Sequence, residues 1–256
     1  CIRDSYDEFS YGLLDPNAIT EFISYTFNNW NGTPPYYLAL MGDMSYDYRG
    51  LLQSSRKNFI PSLPYHAIQY GLAFSDNNFV AVVGDDVVPE MAVGRLSCET
   101  LEEANILVDK IINYPADNTK IWKERTLLIG AGQDEEDENR FGFNDDNVDL
   151  ENNFLTPNGY TSLKVFRYPN KPEYFQFQGE GPQIRAAFND GVVLSNFYGH
   201  GGGAQWDLVF TNDDIYLLEN GDKLPFVLSV SCYTAHFDNQ TAFGEIFNRV
   251  PGKGSI

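Results

Sequence analysis

Two kinds of apolar repeat alternate along this chain. Residues 126–129, 163–166, 192–197 and 226–230 are apolar at nearly every position and too short for helices, which predicts strands of a parallel sheet buried on both faces. Stretches at helical spacing fall between and after them, over 182–188, 213–218 and 242–249, with one more helix after the acidic segment 134–147. Gly221 stops the second of these. The first half predicts a helix over 18–27 and strands over 36–41, 79–83 and 91–93, followed by a well-marked helix. There Thr100 and Glu103 form a capping box, Leu101, Ala104, Val108 and Ile111 share one face, and Tyr114 and Pro115 end the run. The alternation predicts an α/β fold with helices on both faces of a mostly parallel sheet. The polar stretch 116–120 divides it into segments 1–120 and 121–256.

Composition narrows the function classes. The 256 residues carry 36 acidic and 17 basic side chains, a formal charge of -19, which excludes a nucleic-acid binder held by a basic face. At 43% hydrophobic and 15% aromatic, the chain can build a large core without disulfide or metal staples. No apolar run approaches the roughly 18 residues of a membrane helix. The opening residues CIRDSYDEF lack the pattern of a signal peptide, so a signal for export is expected outside this chain. The three cysteines, Cys1, Cys98 and Cys232, fit neither a disulfide framework nor a CxxC metal site. The acidic segment 134–147 reads as a solvated loop, and its match to a calcium-binding EF-hand fails because Phe141 and Val148 occupy ligand positions.

Chemistry is expected just beyond the carboxyl ends of the strands, where loops converge. Three of the four predicted strands of the second half are followed there by a reactive residue: Asp134, His200 and Cys232. A cysteine nucleophile needs an imidazole to manage protons, and a carboxylate orients that imidazole. His200 lies in NFYGHGGG, where glycines allow a sharp bend and leave amide N–H groups for a developing oxyanion. Gly199, Gly201 and Ala204 also satisfy a dinucleotide-loop pattern, but no ribose-binding carboxylate ends the next strand. A lone cysteine is more often a small buried hydrophobe, and the companion His200 is what reverses that reading for Cys232. Cys98 reads as structural, His66 and His236 as loop or pocket-wall residues, and no HExxH zinc motif is present.

These residues resemble a known family. YGHGGG followed by Trp206, then LPFVLSVSCYTAHFD and FGEIFNRVPGKGSI, are similar to the gingipain-type cysteine peptidases, family C25 of the caspase-like clan. YYLALMGD, Ser75 with Asp76, VVGDDVVPEMAVGRLS and EEANILVDKIINY resemble the same family's N-terminal subdomain, so the likeness covers nearly the whole chain.

The resemblance implies a caspase-like α/β/α sandwich, with a non-catalytic subdomain over 1–120 and a catalytic one over 121–256 that is truncated at its C-terminus. It implies a cysteine endopeptidase with Cys232 as nucleophile, His200 as general acid/base, the N–H groups of Gly201 and Cys232 as oxyanion hole, and Asp134, or its neighbour Glu135, as orienting acid. Trp206, Asp145 and His236 would meet a polypeptide substrate, with specificity for a basic residue in question because FNDDN places Asn144 nearest the expected acidic position. Calcium, as a structural ion only, would take Asp76, Asp85, Asp86 and Glu90; the chemistry itself needs no cofactor. The resemblance further implies a bacterial protein secreted or held at the cell surface through type IX secretion, with a propeptide and an immunoglobulin-like module outside this chain. A type IX sortase acting as a transpeptidase and an inactive surface binding module are the competing readings.

Overall fold

A computed structural model of the chain describes residues 2–52, 56–68, 71–117, 119–238 and 241–256; Cys1 lies outside them. The chain divides into two compact units, one of residues 1–104 with 237–239 and one of 105–236 with 240–256. The polar stretch 116–120 therefore falls inside the second unit.

The first unit begins with α1 (Ile2–Phe9) and α2 (Pro16–Asn29). Asp15 caps α2 by accepting the Asn17 N–H, and Pro16 stands at its first turn, where no amide hydrogen is needed. Strands β1 (Tyr37–Met41) and, later, β4 (Ala92–Leu96) pair in parallel, while β2 (Leu63–Ala67) and β3 (Gly71–Ser75) form an antiparallel hairpin that the apolar pattern does not announce. Ile19, Ile23, Leu40, Ile60, Phe79, Val80 and Met91 make its core. The strand expected over 79–83 is absent: Asp76–Phe79 forms a tight 3-10 turn, and Phe79 and Val80 are apolar because they plug the core, not because they extend a sheet.

The unit boundary falls within α3 (Leu101–Ile112). Half of the expected capping box forms: Thr100 Oγ1 accepts the Glu103 N–H at 3.1 Å, but the Glu103 carboxylate reaches the Glu99 N–H instead of its own cap. In the second unit β5 (Arg125–Ala131) leads to α4 (Glu135–Phe141) and α5 (Phe143–Leu150), then β6 (Thr161–Phe166), α6 (Gly181–Asp190) and β7 (Leu194–Gly199). Three two-residue strands follow, β8 (Gly201–Gly202), β9 (Gln205–Trp206) and β10 (Phe210–Thr211), then α7 (Asn212–Tyr216), β11 (Phe226–Val230) and α8 (Phe243–Arg249).

The sheet order is β11-β7-β5-β6, all parallel, so β5 and β7 are central. Leu127, Ile129 and Phe197 pack one face against Ile184 and Phe188 of α6, Ile215 of α7 and Phe243 and Phe247 of α8. On the other face α5 meets β5 and β7 through polar groups: Asn147 Nδ2 donates to the Ile129 carbonyl, and Asn196 Nδ2 donates to Asn147 Oδ1 at 2.8 Å. β11 is an edge strand with Phe226, Leu228 and Val230 exposed on one side, so the expectation of burial on both faces fails there.

The acidic segment is two helices, not a solvated loop. Gly142, at φ +70, breaks them apart, and the acids Glu135, Glu136 and Asp137 sit in the first turn of α4, where its unpaired amides and dipole favour negative charge.

Candidate active site

β7 and β11 run in register, Val230 opposite Tyr198, so His200 and Cys232 each leave the sheet two residues beyond a paired position on neighbouring strands. Their loops touch. A β-carbon added at Gly201 would lie 2.8 Å from the Cys232 carbonyl oxygen and 2.8 Å from Ser231 Oγ, so only glycine lets the bend after His200 lie this close to the cysteine turn. Cys232 is exposed, and the residue after it, Tyr233, takes φ +59, a conformation costly for a bulky side chain.

The carboxylate that meets His200 is Asp137. Its Oδ2 lies 3.0 Å from His200 Nε2 and also accepts the Gln133 N–H at 2.9 Å. Asp134 has another job: it caps α4, its Oδ1 accepting the Asp137 N–H at 2.9 Å. Glu135 is exposed at the first position of that helix. The sequence reading is thus corrected by three residues, because a helix starts at once after β5 and its first turn, not the strand tip, delivers the acid. Phe141 and Phe143, stacked on each other with centroids 5.4 Å apart, each stand 5.4 Å from the imidazole and nearly perpendicular to it. The ring is thereby fixed on one side by a carboxylate and on another by two phenyl groups, with its side chain 35% exposed.

The substrate-facing residues fare differently. Trp206 is fully buried, stacked on Phe197 at 4.6 Å, and its Nε1 donates to Ser229 Oγ at 2.8 Å; it is a core residue. Ser229 Oγ in turn shares hydrogen bonds with Ser231 Oγ and Thr234 Oγ1, each at 3.0 Å, so the tryptophan braces the cysteine turn from below. Only the serine pair flanking Val230 marks this brace along the chain. Asp145 is already engaged: Lys171 Nζ donates to it at 2.6 Å and Tyr174 Oη at 2.8 Å. Its partial burial raises the carboxyl, but these two hydrogen bonds and the Lys171 charge outweigh that and hold it below the usual range. Its charge is thus paired with Lys171 within the chain, whereas the expectation was of a carboxylate meeting the substrate. His236 stays on the cysteine loop, its ring 5.3 Å from that of Tyr233. His66 lies on β2 of the first unit, and Cys98 is buried there.

The residues expected to hold calcium do not fit the ion. Both oxygens of Asp76 are taken by the Arg95 guanidinium at 2.6 and 2.7 Å, and Glu90 Oε2 accepts the Val82 and Val83 N–H groups. Asp86 Oδ1 accepts the Val88 N–H, and among the described residues no three acidic, histidine or cysteine side chains gather as a metal would require.

The sheet order and the strand-end cluster of histidine, carboxylate and cysteine define a caspase-like α/β protein. The model of peptidase family C25 matches residues 2–256, and the chain belongs to that family. It is 28% identical to gingipain R2 of Porphyromonas gingivalis over 245 residues, covering 93% of this chain and 29% of that protein. It is 30% identical to a Lys-gingipain of the same organism over 255 residues, covering 97% of this chain and 13% of that protein. Among solved structures it is similar to the Arg-specific cysteine proteinase gingipain R, with TM-score 0.72, 26% identity and coverage of 98% of this chain and 53% of that one. The complex of pro- and mature domains of the same proteinase matches with TM-score 0.74 and 27% identity, over 98% of this chain and 54% of that one. The chain thus spans about half of the solved structures and under a third of the curated relatives it matches. No helix among the described residues is long and apolar enough to cross a membrane.

Proposed function

We propose that this chain carries the chemistry of a cysteine endopeptidase, with Cys232 as nucleophile and His200 as general acid and base. The observation that carries the reading is the close approach at Gly201, which sets the residue after His200 against the backbone of Cys232. With Nε2 of His200 on the Asp137 carboxylate, Nδ1 is the ring atom left to exchange a proton with the Cys232 thiol and then with the departing amine. The sulfur attacks a peptide carbonyl, the N–H groups of Gly201 and Cys232 receive the oxyanion, the C–N bond breaks as His200 protonates the amine, and water hydrolyses the thioester. Asp137 holds the ring in one tautomer and balances its charge when protonated.

These residues all belong to the second unit, which we take as the catalytic subdomain, leaving the first as non-catalytic. The substrate is a polypeptide, and the family resemblance supports a location outside the cell or at its surface, with a propeptide and a further module as companions. The test is cleavage of a mixed peptide library, read by mass spectrometry with and without an added amine acceptor. Cleavage abolished in Cys232→Ala, with water-derived termini in both conditions, supports the proposal; amine adducts in place of acids would favour a transpeptidase, and no cleavage or labelling by any peptide would favour a binding module.

A further inference from the structure

Antiparallel pairing of β8 and β9 sets Gly201 opposite Trp206 and Gly202 opposite Gln205, so one register step outward brings the chain at Asp207 opposite the chain at His200. The chain holds Asp207 there at a cost. Trp206–Val209 is a tight turn closed by the Val209 N–H on the Trp206 carbonyl at 2.7 Å, with φ +31 at Asp207 and +61 at Leu208. Asp tolerates the left-handed region; leucine does so poorly, and Leu208 is 68% exposed, so packing does not offset its strain. Arg167, at the end of β6, fixes the turn further: its Nη1 donates to the Asp207 carbonyl at 2.6 Å and lies 3.6 Å from the Asp207 carboxylate. Asp207 Oδ2 is nevertheless buried with no hydrogen bond among the described residues. A strained turn that holds a buried, incompletely satisfied carboxylate at the far side of the hairpin that begins at His200 calls for a role.

We propose that Asp207 is a second carboxylate acting on His200, a positioning residue that works with Asp137 to favour the imidazolium form needed beside the Cys232 thiolate. The inference rests on the peptidase reading of His200 but is tested apart from it. Among the described residues, Asp137 from α4 meets the imidazole directly, Asp207 from the β9–β10 turn interacts with its charge, and Cys232 lies on the adjoining loop after β11; Phe141 and Phe143 add only aromatic faces. Arg167, itself 3.7 Å from Glu180, stands behind Asp207, and the buried Glu138 adjoins Asp137. Burial, the largest influence, leaves the Asp207 carboxyl raised above the ordinary carboxylate range, with Asp137 adding to the rise, while the Arg167 and His200 charges draw it back down.

The experiment is an NMR titration of the His200 imidazole in the Cys232→Ala chain, assigned with His200→Gln, with and without Asp207→Asn. Because no turnover is involved, it reads the proposal even if the chain cleaves nothing. Loss of the nearby opposite charge should move the His200 midpoint down in pH relative to the parent chain. In the active chain the alkaline limb of kcat/KM, where the imidazolium loses its proton, should move down in pH with KM little changed. An unmoved His200 titration in folded Asp207→Asn overturns the proposal, whatever happens to rate. Should that variant misfold, Asp207→Gly, which suits the positive φ of this position, provides the second reading: the His200 midpoint should again fall, with an unchanged or higher midpoint counting against the proposal.

Discussion

Glu138 is the group whose ionisation should leave the clearest mark on stability. It follows Asp137 in α4 and is fully buried, with Oε1 accepting the Asn144 N–H at 2.6 Å and Oε2 accepting no hydrogen bond among the described residues. Burial lifts its carboxyl from 4.5 to about 7; the Asn144 N–H opposes the lift, and the nearby negative charge of Asp145 assists it. A raised folded value means that the folded chain binds this proton more tightly than the unfolded chain does. The resulting stability is fully present below pH 4.5 and is lost as pH rises through 7. At about 1.4 kcal/mol per unit, the interval of 4.5 to 7 corresponds to about 3 kcal/mol. Glu138→Gln keeps an acceptor for Asn144 and cannot ionise. Urea unfolding followed by tryptophan fluorescence should therefore show the variant gaining on the parent by about 3 kcal/mol between pH 4.5 and pH 8, a midpoint shift of about 1 M for a slope near 3 kcal/mol per M. A gap between variant and parent that does not change with pH would refute the reasoning.

Two further outcomes follow from the site's construction. Gly201→Ala should leave the fold intact at a cost of about 1–3 kcal/mol, since its β-carbon must push the Cys232 carbonyl and Ser231 aside, and should reduce peptide cleavage by far more than this overpacking reduces the unfolding midpoint. Ser229→Ala strips the Trp206 indole of its acceptor and should cost about 1–3 kcal/mol by thermal unfolding, with weakened turnover because Ser231 and Thr234 lose their shared partner; a neutral result would show that the brace is idle.

The central strands were legible because burial on both faces leaves a continuous apolar run, as in β5, and β11 ends where its run ends. The run 79–83 misled for the same reason: buried apolar side chains mark a core, whatever backbone carries them. The hairpin β2–β3 was hidden, with Pro64, Tyr65, His66 and Leu72 exposed and no alternation to read. At the candidate site, the positions of His200 and Cys232 just beyond β7 and β11 were legible because strand tips are fixed by the strands themselves. That of Asp137 was not, since it depends on where α4 starts and which side of its first turn faces β7. Trp206 looked like a substrate contact by position and proved to be core, because the hairpin carrying it folds back over Phe197 and Phe243. Asp207 emerges only from the pairing of two-residue strands too short to leave any pattern.

The most direct test of the account is intact-mass analysis after exposure to a panel of peptidyl chloromethyl ketones. The predicted result is a single adduct, mapped by digestion to Cys232, lost in His200→Ala and slowed in Asp137→Asn. Labelling of Cys232 at the same rate in all three chains would contradict the claim that the imidazole and the sulfur work as one.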